Sequence, residues 1–206
     1  MPDRRARHPV PWITQYATPS LIAAIAYQGH PAADDPNWRA SGAPTREAYG
    51  RWCTRLCGMA CLRMALFARD GHAPSLFTLL DGCLKYGGYV EEADGQVRGL
   101  LYRQFSDFVR DLYQLQAEVI TSLDPGRMRS ELGKGRLVIA SVHKEIRRPE
   151  REPPGTGGHL VVVTGYQDDQ LTFHNPSGHT TEAGMATLPE TTFDRFAAHR
   201  GMALHV

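Results

Sequence analysis

The chain has 206 residues, long enough for one well-formed core and short for two. Apolar residues make up 42% and charged residues 22%, the balance of a globular protein rather than a disordered or fibrous one. The net charge of +1 gives no field that would select nucleic acid or an anionic membrane as partner, and the basic stretches at 3–7 and 144–151 are short enough to read as solvated surface. No apolar run approaches the roughly 18 residues that span a bilayer. The opening MPDRRARHPVPW has no apolar stretch after its arginines, which gives the expectation of a cytoplasmic protein. Four cysteines, three of them within nine residues (Cys53, Cys57, Cys61), are too few for a disulfide scaffold and read as thiols.

In chain order, VPWITQY (10–16) reads as an extended segment. Thr18 and Pro19 resemble the start of a helix through Leu21–Tyr27, and 29–44 is a long loop rich in turn residues. Thr45 resembles a cap for REAYGRW. The strongest helical pattern begins at Cys57 (CGMACLRMALFARDG) and stops at Gly71, with Met59, Leu62, Met64, Leu66 and Phe67 as its apolar side. A second helix runs from near Pro74 to Gly87-Gly88, and a third over about 102–115.

The texture changes after residue 116. AEVIT (117–121) predicts a strand and DPGRMRSELGKG a short helix. RLVIASVHK (136–144), HLVVVTGYQ (159–167) and QLTFHNP (170–176) predict further strands, TTFDRFAAHRG a short helix and MALHV a closing strand. Helices over about 10–115 followed by an antiparallel sheet over about 116–206 give an α+β chain, expected as one domain with a cleft between the two parts.

Three chemically capable residues fall at element junctions. Cys57 starts a helix, where free N–H groups and the helix dipole favour a thiolate. His159 starts a strand behind a Pro- and Gly-rich loop (144–158) that reads as a lid over the cleft. Asn175 ends the next strand. A hairpin across the Gln167–Gln170 turn brings His159 and Asn175 together at its open end. Singly these residues read as a buried thiol, a turn histidine and a turn asparagine. Together, in the order Cys, His, Asn, they make a nucleophile, a proton carrier and an orienting amide. Cys53, Cys57 and Cys61 at four-residue spacing lack the paired short spacings of a zinc site, so no metal is expected. GKGR (133–136) and GTGG (155–158) lack the phosphate-loop pattern, so no cofactor is expected. His174 and His179 flank Asn175 and read as surface residues.

The sequence also resembles a known family. CGMACLRMAL is similar to the nucleophile helix of papain-like cysteine peptidases of the C39-like group, GGHLVVVTGY to its histidine strand, FHNPSG to its (Asp/Asn)-Pro turn, and VPWITQY to its amino-terminal segment. The resemblance covers about residues 9–205, with a loop-rich insertion at 29–50. It implies a papain-like fold, Cys57 as nucleophile, His159 as general base and acid, and Asn175 as orienter. Such enzymes add a glutamine to the oxyanion hole. Transporter-linked members carry it shortly before the cysteine, where this chain has Arg51; Gln15 is the expected substitute, because stand-alone members carry it in that segment. The implied activity is hydrolysis of a peptide or small amide, or acyl transfer at the same site. The alternative is a non-catalytic module that keeps the cleft to bind peptide.

Overall fold

A computed structural model describes residues 5–93 and 95–206; Asp3 and Arg4 of the first basic stretch lie outside them. In chain order the elements are β1 (Arg5–Arg7), α1 (Ile22–Tyr27), α2 (Arg46–Trp52), α3 (Cys57–Asp70), α4 (Leu76–Lys85), β2 (Tyr89–Glu91), β3 (Val97–Gly99) and α5 (Tyr102–Tyr113). There follow β4 (Ala117–Ile120), α6 (Pro125–Gly133), β5 (Leu137–His143), β6 (Gly158–Gln167), β7 (Gln170–His174), α7 (Thr181–Gly184), β8 (Met185–Pro189), α8 (Glu190–Asp194) and β9 (Ala197–Leu204). The sheet order is β4-β9-β5-β6-β7-β8, antiparallel throughout, with β1 paired to the end of β6.

Local chemistry explains several boundaries. Thr45, Ser75 and Asp124 each accept a backbone N–H from the first turn of α2, α4 and α6. Gly71 ends α3 in the left-handed conformation at φ +73°. Thr18 departs from its expected role: its side chain does not cap α1 but donates to Asp35. Asp35, fully buried in the 29–44 loop, also accepts from Tyr49 and from the backbone of Asn37, and so fixes a segment whose sequence suggests only turns.

The sheet is buried on both faces. Leu137, Ile139, Leu160, Val162, Met202 and Leu204 pack with α3, α4 and α5 in one core. The alternate residues Val138, Ala140, Val142, Val161, Val163 and Ala203 pack with Met128 and Leu132 of α6 and with Phe193 and Phe196 in a second. Strands β5 and β6 therefore read as continuous β-branched runs, and each buried branched side chain contributes about 1.5–3 kcal/mol. The helical part packed on an antiparallel sheet matches the expected α+β architecture, with a further layer, α6 and α8, behind the sheet.

Two bulges re-aim side chains toward the cleft end. The β6–β7 register slips by one residue around Thr164, and the β5–β9 register slips around Ser141.

Candidate active site

Cys57 occupies the first position of α3, where its own backbone N–H and that of Gly58 have no helical partner. The backbone amides of Cys57, Gly58 and Leu160 of β6 act on the thiol to lower its pKa. Gly58 leaves room for this meeting of helix and sheet: a Cβ there would stand 2.8 Å from Leu100 and 3.3 Å from Leu160.

Cys57 and His159 line the same cavity, of about 430 Å³, together with Tyr89, Leu100, Tyr102 and Arg200. A larger hollow of about 620 Å³ lies by the β6–β7 turn, but its walls hold Arg5, Arg7, Asp168 and Asp169 and no cysteine or histidine.

His159 is held by the following turn. Its Nε2 lies 2.8 Å from Asn175 Oδ1 and 3.1 Å from Ser177 Oγ. The atom assignment follows from the donors present. Ser177 N–H donates to the same Asn175 oxygen at 3.0 Å, so that atom must be an acceptor. His159 therefore donates Nε2–H to it, which leaves Nδ1 as the unprotonated nitrogen. The register slip brings Ser177, rather than the next residue, opposite His159. Simple hairpin counting passes over that shift, and the sequence carries no signal for it beyond Gly165, where a Cβ would meet Ala6 O of β1 at 2.5 Å.

The backbone of Asn175 is equally fixed. Its N–H donates to Gly184 O at 2.8 Å and its carbonyl accepts from Trp12 Nε1 at 2.9 Å. Gly184 must be glycine, because a Cβ would stand 2.2 Å from the Trp12 ring.

Gln15 lies in the same amino-terminal strand of chain. It is 1% exposed, its backbone N–H donates to Pro176 O at 3.0 Å, and its Nε2 donates to Cys53 O at 2.7 Å. Trp12–Gln15 thus ties the Asn175 turn to the residues that precede the Cys57 helix. Gln15 does not itself line the cavity.

Burial sets the electrostatics. It pushes the Cys57 thiol up to about 11, against the lowering by the three backbone amides. It drives the His159 imidazole down to about 4, with the Asn175 hydrogen bond opposing. The expectation of a thiolate at the helix start is therefore reversed: desolvation outweighs the helix terminus, and at neutral pH the pair is a thiol beside a neutral imidazole.

Other sequence expectations are corrected. The 144–158 loop does not roof the cavity; Gly158 alone of its residues lines it. The loop is pinned elsewhere, by Arg148 stacked 3.9 Å over the Tyr27 ring, by the Arg195–Glu152 ion pair and by Arg195 donating to Pro149 O. The wall that the lid was expected to supply comes from Tyr89 to Tyr102 instead. His174 is buried, and His179 meets Tyr27 edge-on at 5.8 Å rather than lying free on the surface. Trp38 and Trp52 belong to the core. All four cysteines are free, and among the described residues no three His, Cys, Asp or Glu side chains are grouped to hold a metal.

A family model described as the peptidase C39-like family matches residues 10–200. The chain belongs to that family. Comparison with curated protein sequences gives no significant match. Among solved structures, the double glycine motif protease from an AMS/PCAT transporter, determined in complex with the leader peptide, is 17% identical and superposes with a TM-score of 0.52 over 97% of this chain and 93% of its own. The peptidase domain of Streptococcus ComA, a bifunctional ABC transporter involved in quorum sensing, is 17% identical with a TM-score of 0.51 over 73% and 91%. A C39-like peptidase from Bacillus anthracis is 12% identical with a TM-score of 0.52 over 74% and 89%. At these identities the likeness establishes the papain-like fold; the family match adds a peptidase function in general terms.

Proposed function

We propose that the chain is a cysteine hydrolase that opens a peptide or small amide bond through an acyl-enzyme on Cys57. The observation that carries this reading is the hydrogen bonding around Asn175 Oδ1, which commits His159 Nε2–H to the amide and leaves Nδ1 to take a proton in the cavity that Cys57 shares. The thiol gives its proton to Nδ1 as sulfur attacks the carbonyl carbon. The imidazolium so formed is stabilised by Asn175 and Ser177 and hands the proton to the leaving amine. Water, or a second amine in an acyl transfer, then attacks the thioester with His159 again accepting the proton.

The Cys57 N–H at the helix start is the donor assigned to the oxyanion, and one such donor lowers a barrier by about 3 kcal/mol. The Gln15 amide, donating to Cys53 O and outside the cavity, steadies the start of that helix instead. The resting thiol–imidazole pair suits this scheme, because charge develops only as the substrate reacts and meets fixed dipoles. Peptide is the favoured substrate class, supported by the family and by the leader peptide held by the transporter-linked protease. Residues 1–206 act as one papain-like unit in this reading, with its helical part at about 10–115 and its sheet part at about 116–206. Four free thiols, and described helices none of which is long and apolar enough to cross a membrane, support the cytoplasm as its setting.

Cys57→Ala tests the assignment. Turnover of a peptide pool, followed by mass spectrometry, falls at least about a thousandfold while circular dichroism stays unchanged. A folded variant that still turned peptides over would remove Cys57 from the mechanism. Equal binding by wild type and variant with no turnover by either would make the chain a peptide-binding module.

A further inference from the structure

Among the described residues, two arginines, Arg200 and Arg55, line the cavity and no carboxylate does. Neither arginine forms an ion pair among the described residues; Arg55 donates only to the Arg51 carbonyl. Elsewhere this chain pairs its arginines freely with acids, as at Arg110, Arg136 and Arg195.

Arg200 is also positioned rather than loose. The β5–β9 slip confines Ala198, His199 and Arg200 to a bulge opposite Ser141. His199 adopts φ +50°, an unusual conformation for a residue with a side chain, and its ring is fastened to Asp194 at 2.8 Å. Tyr102, Ser141 and Arg200 line the cavity together, and both Ser141 and the guanidinium act on the Tyr102 hydroxyl to lower its pKa. Gly157 packs behind the guanidinium: a Cβ there would stand 3.2 Å from Arg200 Nη2 and 3.1 Å from Ala198. Tyr102 and Cys57 line the same cavity as Arg200.

We propose that Arg200, assisted by Arg55 from the helical side, forms a carboxylate-binding subsite beside Cys57. The preferred substrate then carries an acidic group next to the bond attacked, either an Asp or Glu side chain or a C-terminal carboxylate. A guanidinium in a cavity with no competing acid among the described residues presents a planar pair of donors that matches a carboxylate bidentately. The inference rests on Cys57 being the nucleophile.

The test uses two reagents that differ in one group. Iodoacetate carries a carboxylate where iodoacetamide carries an amide. The ratio of their rates at Cys57, read by mass spectrometry at neutral pH, is compared with the ratio for the same cysteine in the urea-unfolded protein. The folded protein is expected to raise the iodoacetate-to-iodoacetamide ratio about tenfold, as a well-placed charge-assisted contact worth about 1.4 kcal/mol would. Arg200→Gln returns the ratio to the unfolded value, and Arg200→Lys restores part of it. Labelling by iodoacetamide with no preference for iodoacetate would overturn the subsite and leave the nucleophile standing. Failure of both reagents at Cys57 would overturn the nucleophile and the subsite with it. Protection of Cys57 by an acetylated peptide amide containing Glu, against the same peptide with Ala and a free C-terminus, decides which kind of carboxylate the subsite takes.

Discussion

Glu131 and Asn175 are both fully buried polar residues of the sheet half, and their surroundings are treated oppositely. On the far side of the sheet, Glu131 receives Lys134 and Arg136 at 2.7 Å each and Arg127 at 2.9 Å, so both carboxylate oxygens are engaged. Burial alone would raise its carboxyl; the hydrogen bonds from Lys134 and Arg136 outweigh that and hold it below the usual range. At the cleft, Asn175 Oδ1 receives three donors, yet its Nδ2 has no partner among the described residues, nor do Oε1 of Gln15 and Nδ1 of His174. A saturated buried network adds rigidity and stability. A partly saturated one costs stability and is retained where the orientation of one atom, here His159 Nε2, matters more.

The contrast can be broken from either end. Glu131→Ala removes the buried acid that Lys134, Arg127 and Arg136 share, the two arginines keeping Glu118, and is expected to lower unfolding stability by about 3 kcal/mol in urea titration, with activity per folded molecule unchanged. A loss of activity without a loss of stability would erase the distinction. Asn175→Ala has the opposite profile. It frees the imidazole, so kcat/KM falls about a hundredfold, equivalent to about 2.7 kcal/mol, while Asn175→Gln or →Asp recovers part of it. The smallest effect is expected at Ser177→Ala. That change removes one hydroxyl from His159 and Asn175 but keeps the backbone N–H that orients the amide, and a loss of tenfold or less in kcat/KM follows. A loss as large as that of Asn175→Ala would mean that Ser177, not Asn175, holds the ring.

The comparison also shows what sequence alone can reveal. Periodicity and turn chemistry located the main helices and the strands β4 to β7, because apolar spacing and caps are local. The meeting of His159 and Asn175 was legible from hairpin arithmetic. Ser177 was not, since a bulge moves the register by one residue without an obvious mark in the sequence. Arg200 was hidden for the same reason: it stands inside TTFDRFAAHRG, which reads as a helix, whereas the chain bulges there out of β9. Asp35 was lost in a loop whose composition says only that it turns. The protonation of the pair was misread because the helix terminus is visible in sequence and the desolvation that overrides it is not. The loop at 144–158 read as a lid because the partners that hold it elsewhere, Tyr27 and Arg195, are distant in sequence.

The central claim is that His159, oriented by Asn175, takes the proton of a Cys57 thiol that would otherwise stay protonated. Alkylation of Cys57 by iodoacetamide against pH, in wild type and in His159→Ala, tests it most directly. His159 is neutral above its depressed value of about 4 and loses its basicity as pH falls through it. Wild-type labelling is therefore predicted to stay nearly level from pH 8 to pH 5 and to drop near pH 4. Without the imidazole only the free thiolate reacts, so His159→Ala is predicted to label slowly at pH 6 and to gain tenfold per pH unit toward about 11. Two superimposable curves, both rising tenfold per unit, would contradict the account.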